Sequence, residues 1–256
     1  MREPGNTPKH SAQVGYLKTV LFAVTLMIVG LSSELFAQQV LIKTGTLVPR
    51  ESSYFEVLQD MAAEWERITD GEVKIRLYPS GVAGDERDMV RKMTINQLQA
   101  AAISTQGLQY IAKSVNALIF PMMVRTWDEL DWLRSRLSED LEQDIEQNNF
   151  ELLFWADAGW IYFFSTVPIQ TPDDVKNLKL FTRANDLNAL NLWREGGFNP
   201  VSLTTNDVLP GLRTGLIDVV QAPPFMALSS QWFGIANHML DVKWSAMSGG
   251  MVLTRK

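Results

Sequence analysis

The sequence predicts an α/β fold with a largely parallel sheet. Apolar or alternating segments give way in turn to amphipathic helices from Val40 onward, and the helices carry their own start signals. The 256-residue chain, 46% hydrophobic and 10% aromatic, also has ample material for a core. In order, "VLIKTGTLV" reads as a strand and "SSYFEVLQDMAAEWERITDG" as a helix with Tyr54, Leu58, Met61, Trp65 and Ile68 on one stripe. Ser53 and Glu56 suggest a capping box at its start, and Gly71 a left-handed stop. In "EVKIRLYPSG", Val73, Ile75 and Leu77 face one way before Pro79, Ser80 and Gly81 turn the chain.

A helix near Asp85 turns Met89, Val90 and Met93 inward, and "LQAAAIS" follows as a strand ending in Ser104. "TWDELDWLRSRLSEDLEQDIEQNNF" is a long helix with a capping box at Thr126 and Glu129 and a stripe of Leu130, Leu133, Leu137 and Leu141. After the apolar "FELLFWADAGWIYFFSTVPI", Thr171 caps a short helix that has Pro172 at its first position. "NLKLFTRAN" is a strand in which Phe181 and Arg183 share a face, since side chains two apart do so. A helix "NDLNALNLWREGG" and another from Thr205 toward Gly215 precede the apolar "LIDVVQAPP". Pro210 predicts a kink or an early stop in the second of these.

A net charge of -6 and the absence of a basic cluster argue against nucleic acid as a partner. Without cysteine there are no disulfides, thiolate nucleophiles or cysteine metal sites. Only His10 and His238 occur, so no histidine triad or zinc cluster can form, and no phosphate-cradling glycine loop is present. "GDERD" reads more simply as a helix start capped by Asp than as a metal loop. No cofactor is expected. At the N-terminus, basic residues up to Lys18 precede the apolar run Thr19 to Leu31 and then "SSELFAQQ", which reads as a secretory signal peptide over residues 1–37 cut after Ala37. A retained anchor is the competing reading, although the run falls short of the roughly 20 residues a span needs. The mature chain is therefore expected to be exported.

Several segments, in order, resemble the substrate-binding subunits of tripartite ATP-independent periplasmic (TRAP) transporters, the DctP type. They are "AAEWERITDGEVKIRLYPSG", "VAGDERDMVRKM", "LIFPMMV", "PIQTPDDVKNLKL" and "LRTGLIDVVQAPP". The resemblance implies a two-lobed, hinge-connected, type II-like binding-protein fold. Lobe I would span 38–158 and lobe II 159–246, with 247–256 starting a crossover back to lobe I. Since the family continues past "SGGMVLTRK", the chain looks truncated at its C-terminus. The resemblance further implies a non-enzymatic receptor that closes on a small organic acid. It would deliver that acid to a small DctQ-type and a large DctM-type membrane subunit.

Ligand contacts carried over from the family fall at Thr46, Leu47, Ser104, Trp160, Ile161, Phe181, Gln221, Ala222 and Pro223. The sequence departs from the pattern where the family commonly places arginines. Phe181 follows Lys179 and Leu180, and Ile161 follows Gly159 and Trp160. Arg183 lies two residues beyond the usual clamp on the same strand face. Two readings stand: Arg183 grips a carboxylate while Phe181 packs on the ligand body, or Arg183 is structural and Phe181 lines an apolar pocket. Both imply a ligand less polar than the family average, a monocarboxylate with an apolar body or an uncharged apolar molecule. An exported enzyme on the same fold, or a scaffold that engages only proteins, is the remaining alternative.

Overall fold

The computed structural model describes residues 39–184 and 186–255, so the signal-peptide segment lies outside the described residues. In its first half come β1 (Val40–Thr46), α1 (Ser53–Ile68), β2 (Val73–Tyr78), α2 (Glu86–Thr94), β3 (Ala100–Ser104) and the single turn α3 (Thr105–Leu108). A 3-10 segment (Lys113–Ile119) leads into α4 (Trp127–Gln147) and the long β4 (Phe150–Ser165). Next are α5 (Pro172–Lys176), β5 (Lys179–Arg183), α6 (Leu187–Glu195), β6 (Asn199–Leu203), α7 (Val208–Arg213), β7 (Val219–Ala222), α8 (Pro224–Ser229) and β8 (His238–Thr254).

These strands form one sheet in the order β2-β1-β3-β8-β4-β7-β5-β6. The sheet is mixed, which corrects the expectation of a largely parallel one. β1 pairs with β3, and β5 with β6 and β7, in parallel, but the contacts of β8 with β3 and β4, and of β4 with β7, are antiparallel. Hydrophobic periodicity reports which face of a strand is buried and is blind to its direction, so the two reversed strands leave no local mark in the sequence.

The alternation of strand and helix is as read, and the bilobal α/β fold is organised around the β4–β8 ribbon. On one side of it, Met89, Met93, Leu130, Ile145 and Val252 are fully buried in one cluster. On the other, Val208, Ile217 and Val220 pack with Phe181 and Trp232, while Phe163, Val175, Leu180 and Val219 form a third cluster. Each such side chain contributes about 1.5–3 kcal/mol by leaving water. Because β4 and β8 run through both halves, the chain from Leu41 onward is a single contact unit. No helix among the described residues is long and apolar enough to cross a membrane.

The capping boxes at Thr126 and Thr171 are both formed, the second with Asp174 as its acid. The cap of α1 falls one residue earlier than expected. Ser52, with extended backbone, accepts from the Phe55 amide, and its hydroxyl donates to the Pro49 carbonyl at 2.6 Å, which leaves Ser53 inside the helix. The helix expected from Thr205 is divided: a 3-10 turn covers Thr205–Asp207, and α7 starts only at Val208, which puts Pro210 in its first turn. Proline at the third helical position lacks an N–H that would have no intrahelical acceptor there.

The β4–β8 ladder is irregular at its centre. Between the pairs Ile161↔Ser245 and Phe163↔Leu240, β4 advances two residues while β8 advances five. The surplus residues of β8 include Trp244, whose freed carbonyl accepts from the Met122 amide at 2.7 Å. Such irregularities re-aim side chains, and here the indole of Trp244 enters a cavity wall.

Candidate functional site

Two cavities flank the ends of the strands. The larger, about 550 Å³, lies between α3 and the 3-10 segment on one side and β5, α6 and β7 on the other. The smaller, about 320 Å³, lies over the carboxyl ends of β1 and β3, beside α1 and β8. Ligands in open α/β sheets gather beyond such strand ends. Arg183, Met226 and Met247 line both cavities and form the partition between them.

The predicted site residues divide between these spaces. Phe181 and Arg183 both line the larger cavity, with Thr182 between them, and Ile161 and Gln221 join them there. Thr46, Leu47 and Ser104 line the smaller cavity instead. Trp160, Ala222 and Pro223 border neither. Trp160 sits in the core with its ring centroid 4.8 Å from that of Trp127, and the Lys243 ammonium lies 4.8 Å over its face. Ala222 is fully buried among the side chains behind β7. Pro223 is the extended residue from which α8 begins.

Aromatic rings form much of the larger cavity. Trp193 of α6 stacks on Trp244 at 5.8 Å, and Phe198 meets Trp193 edge-on at 4.9 Å. Such a wall suits a flat or bulky apolar body. The polar groups around it are mainly uncharged: Gln106, Gln109, Asn116, Thr205, Gln221 and Ser245. Arg183 and Asp186 are the ionisable residues in this lining.

Arg183 is not free. Its Nη1 donates to Glu86 Oε2, and Glu86 also accepts from the Ser104 amide at 2.7 Å and the Ser104 hydroxyl at 2.8 Å. The neighbouring Asp85 caps α2 by accepting from the Glu86 amide at 2.9 Å. Burial works against the charge of Arg183, and Glu86 and Asp85 together more than offset it, so its pKa is raised. Glu86 was read from sequence only as part of a helix start. A usable signal was its register: Glu86 precedes Met89, Val90 and Met93 by three, four and seven residues and so lies on the buried stripe of α2. A carboxylate there needs a partner.

Asp85 is held above the usual carboxylate range, first by burial, with Arg183 and the Glu86 amide opposing. Its folded pKa exceeds its unfolded one. It therefore contributes stability below the unfolded pKa and loses that contribution as pH rises through the folded pKa. Asp85→Asn retains a capping oxygen and removes the titration. The variant should be more stable than the parent at neutral pH, with the gap closing toward about pH 4, as urea midpoints at both pH values would show.

Among the described residues, no group of three or more His, Cys, Asp or Glu side chains is placed to hold a metal ion. Asp218 and Asp207 have structural duties: Asp218 accepts from the Lys179 amide at 2.9 Å, and Asp207 from the Thr204 hydroxyl at 2.6 Å.

Comparison with known proteins places this geometry in a family. A solute-binding protein of Chromohalobacter salexigens is 26% identical over 185 residues, 72% of this chain and 55% of its own length. The 2,3-diketo-L-gulonate-binding periplasmic protein YiaO of Escherichia coli K12 is 28% identical over 193 residues, 73% of this chain and 57% of its own. The chain thus spans little more than half the length of these curated relatives. A TRAP periplasmic solute-binding protein from Roseobacter denitrificans OCh 114, solved with bound L-galactonate, superposes with a TM-score of 0.78 at 19% identity, over 85% of this chain and 73% of that one. The model of the DctP family matches residues 44–256, and the chain belongs to that family, the bacterial extracellular solute-binding proteins of family 7.

Proposed function

We propose that this protein is the periplasmic solute-binding subunit of a TRAP-type transporter. In this reading it captures a small organic solute with a sizeable apolar body in the larger cavity and delivers it to a small DctQ-type and a large DctM-type membrane subunit. It catalyses no reaction. The observation that carries the reading is the cavity itself, walled by Trp193, Phe198 and Trp244 and lined by residues from both sides of the β4–β8 ribbon. A solute touching both sides would stabilise the closed arrangement by its differential affinity, which gives the membrane subunits a difference between loaded and empty states. Lobe bounds near 158 and 246 are part of the proposal.

The polar end of the solute has two forms. In the first it is a monocarboxylate directed at Arg183, as the sugar acids named for YiaO and bound to the Roseobacter protein suggest. A specific observation favours the second, an uncharged solute: Arg183 already holds Glu86, and the neighbouring wall positions are Ile161 and Phe181. Mass spectrometry of small molecules released on denaturing the purified protein tests the reading. A stoichiometric organic solute with an aromatic or aliphatic body is the expected result. An empty protein that no organic acid, amide or alcohol stabilises against heat would sink the receptor reading.

A further inference from the structure

Resting on that receptor reading, we infer that Glu86 determines the specificity of the larger cavity. Glu86 lines the smaller cavity, and from that side of the partition it is a built-in counter-anion that occupies Arg183, turning the larger site away from carboxylates and toward solutes whose polar end is an uncharged amide or hydroxyl.

The geometry holds Glu86 in place. One carboxylate oxygen accepts from the Ser104 amide, the other from the Ser104 hydroxyl and from Arg183. Glu86 is 4% exposed and stands in the first turn of α2, where the unpaired amides of a helix start favour an anion. Three donors and the helix end make its displacement by an incoming carboxylate costly, since a buried carboxylate pulled off its partners loses all of them at once.

Charge balance points the same way. Arg183 is a single cation already faced by Glu86 and by Asp85. A solute carboxylate would be the third anion around one guanidinium, in a partition that water reaches poorly. Asp186 adds another acid to the same cavity lining.

The remaining polar groups suit a neutral partner. Gln106 Oε1, Gln221 Nε2 and Thr205 Oγ1 belong to residues of this lining, and each is buried without a hydrogen-bond partner among the described residues. Those three atoms are closed off from the cavity, so what the wall presents there is uncharged: two amide side chains and a threonine, with no second cation to receive a carboxylate.

The test uses the matched probes phenylacetamide and phenylacetate, titrated calorimetrically into the wild-type protein and into Glu86→Gln. Gln keeps an oxygen for the Ser104 amide and frees Arg183. The wild type should prefer the amide by about tenfold or more, and Glu86→Gln should reverse the order, as expected when a desolvated guanidinium gains a carboxylate partner. An unchanged acid-to-amide ratio in the variant overturns the inference. So does a wild type that prefers the acid and loses that preference in Arg183→Met. Should Glu86→Gln fail to fold, the solute retained by the wild type decides: a neutral molecule supports the inference, and a carboxylate overturns it while leaving the receptor reading intact. A wild type that retains nothing and that no organic acid, amide or alcohol stabilises against heat overturns both.

Discussion

Glu86→Ala is expected to destabilise the protein by about 3–5 kcal/mol, the usual cost of breaking a buried ion pair from one side. Glu86 and Arg183 have side chains 5% and 20% exposed, so truncating the acid strands a guanidinium that solvent reaches only partly. The Ser104 amide and hydroxyl lose their acceptor in the same step, and unpaired buried donors each carry their own desolvation penalty. Replacing both partners, Glu86→Ala with Arg183→Met, should recover much of the loss, because the uncompensated charge disappears. Urea unfolding of the two single variants and the double variant checks this. A cost below about 1 kcal/mol for Glu86→Ala would mean that Arg183 swings out to water, as an exposed pair allows.

A second large effect is expected at Gly249, where even alanine should cost about 2–3 kcal/mol. Gly249 of β8 pairs with Ser104 of β3. A Cβ built on it would lie 2.4 Å from the Ile103 carbonyl oxygen and 2.9 Å from the Ser104 Cα. Those are backbone atoms held in the sheet, so the strands would have to part, taking with them the Ser104 groups that grip Glu86. At Gly234 the same added methyl meets nothing within 4 Å, and alanine there should be neutral within about 0.5 kcal/mol. Thermal unfolding of both variants gives the contrast. Equal midpoints would show that the β3–β8 contact relaxes freely.

The order of elements was legible because each signal is local. The caps at Thr126 and Thr171 depend on residues three apart, and the shared face of Phe181 and Arg183 on residues two apart. Strand direction was not legible, since β4 and β8 bury the same residues whichever way they run. The ion pair escaped notice for a different reason: Glu86 and Arg183 are separated by 97 positions, and neither helix period nor strand period connects them. The division of Thr46, Leu47 and Ser104 from Phe181 and Gln221 into two cavities depends on Arg183 and on two methionines, whose flexible side chains carry no positional signature. Trp160 was drawn to the site by its neighbour Ile161, but adjacent strand residues face opposite ways. A change of register near Gly159, with φ at +108°, helps fix which of the two faces the core.

That central irregularity of the ribbon has a mechanical consequence. A regular antiparallel ladder resists twisting because each hydrogen bond braces the next. In β4 and β8 the bracing lapses between Leu152 and Phe154, between Asp157 and Trp160 and, with the largest mismatch, between Ile161 and Phe163. Torsional compliance is greatest at the last of these, and the residues that border it, Ile161 and Trp244, are also walls of the larger cavity. A solute that presses on those two side chains loads the ribbon at its softest point, so filling the cavity and turning one half of the sheet against the other become a single mechanical event.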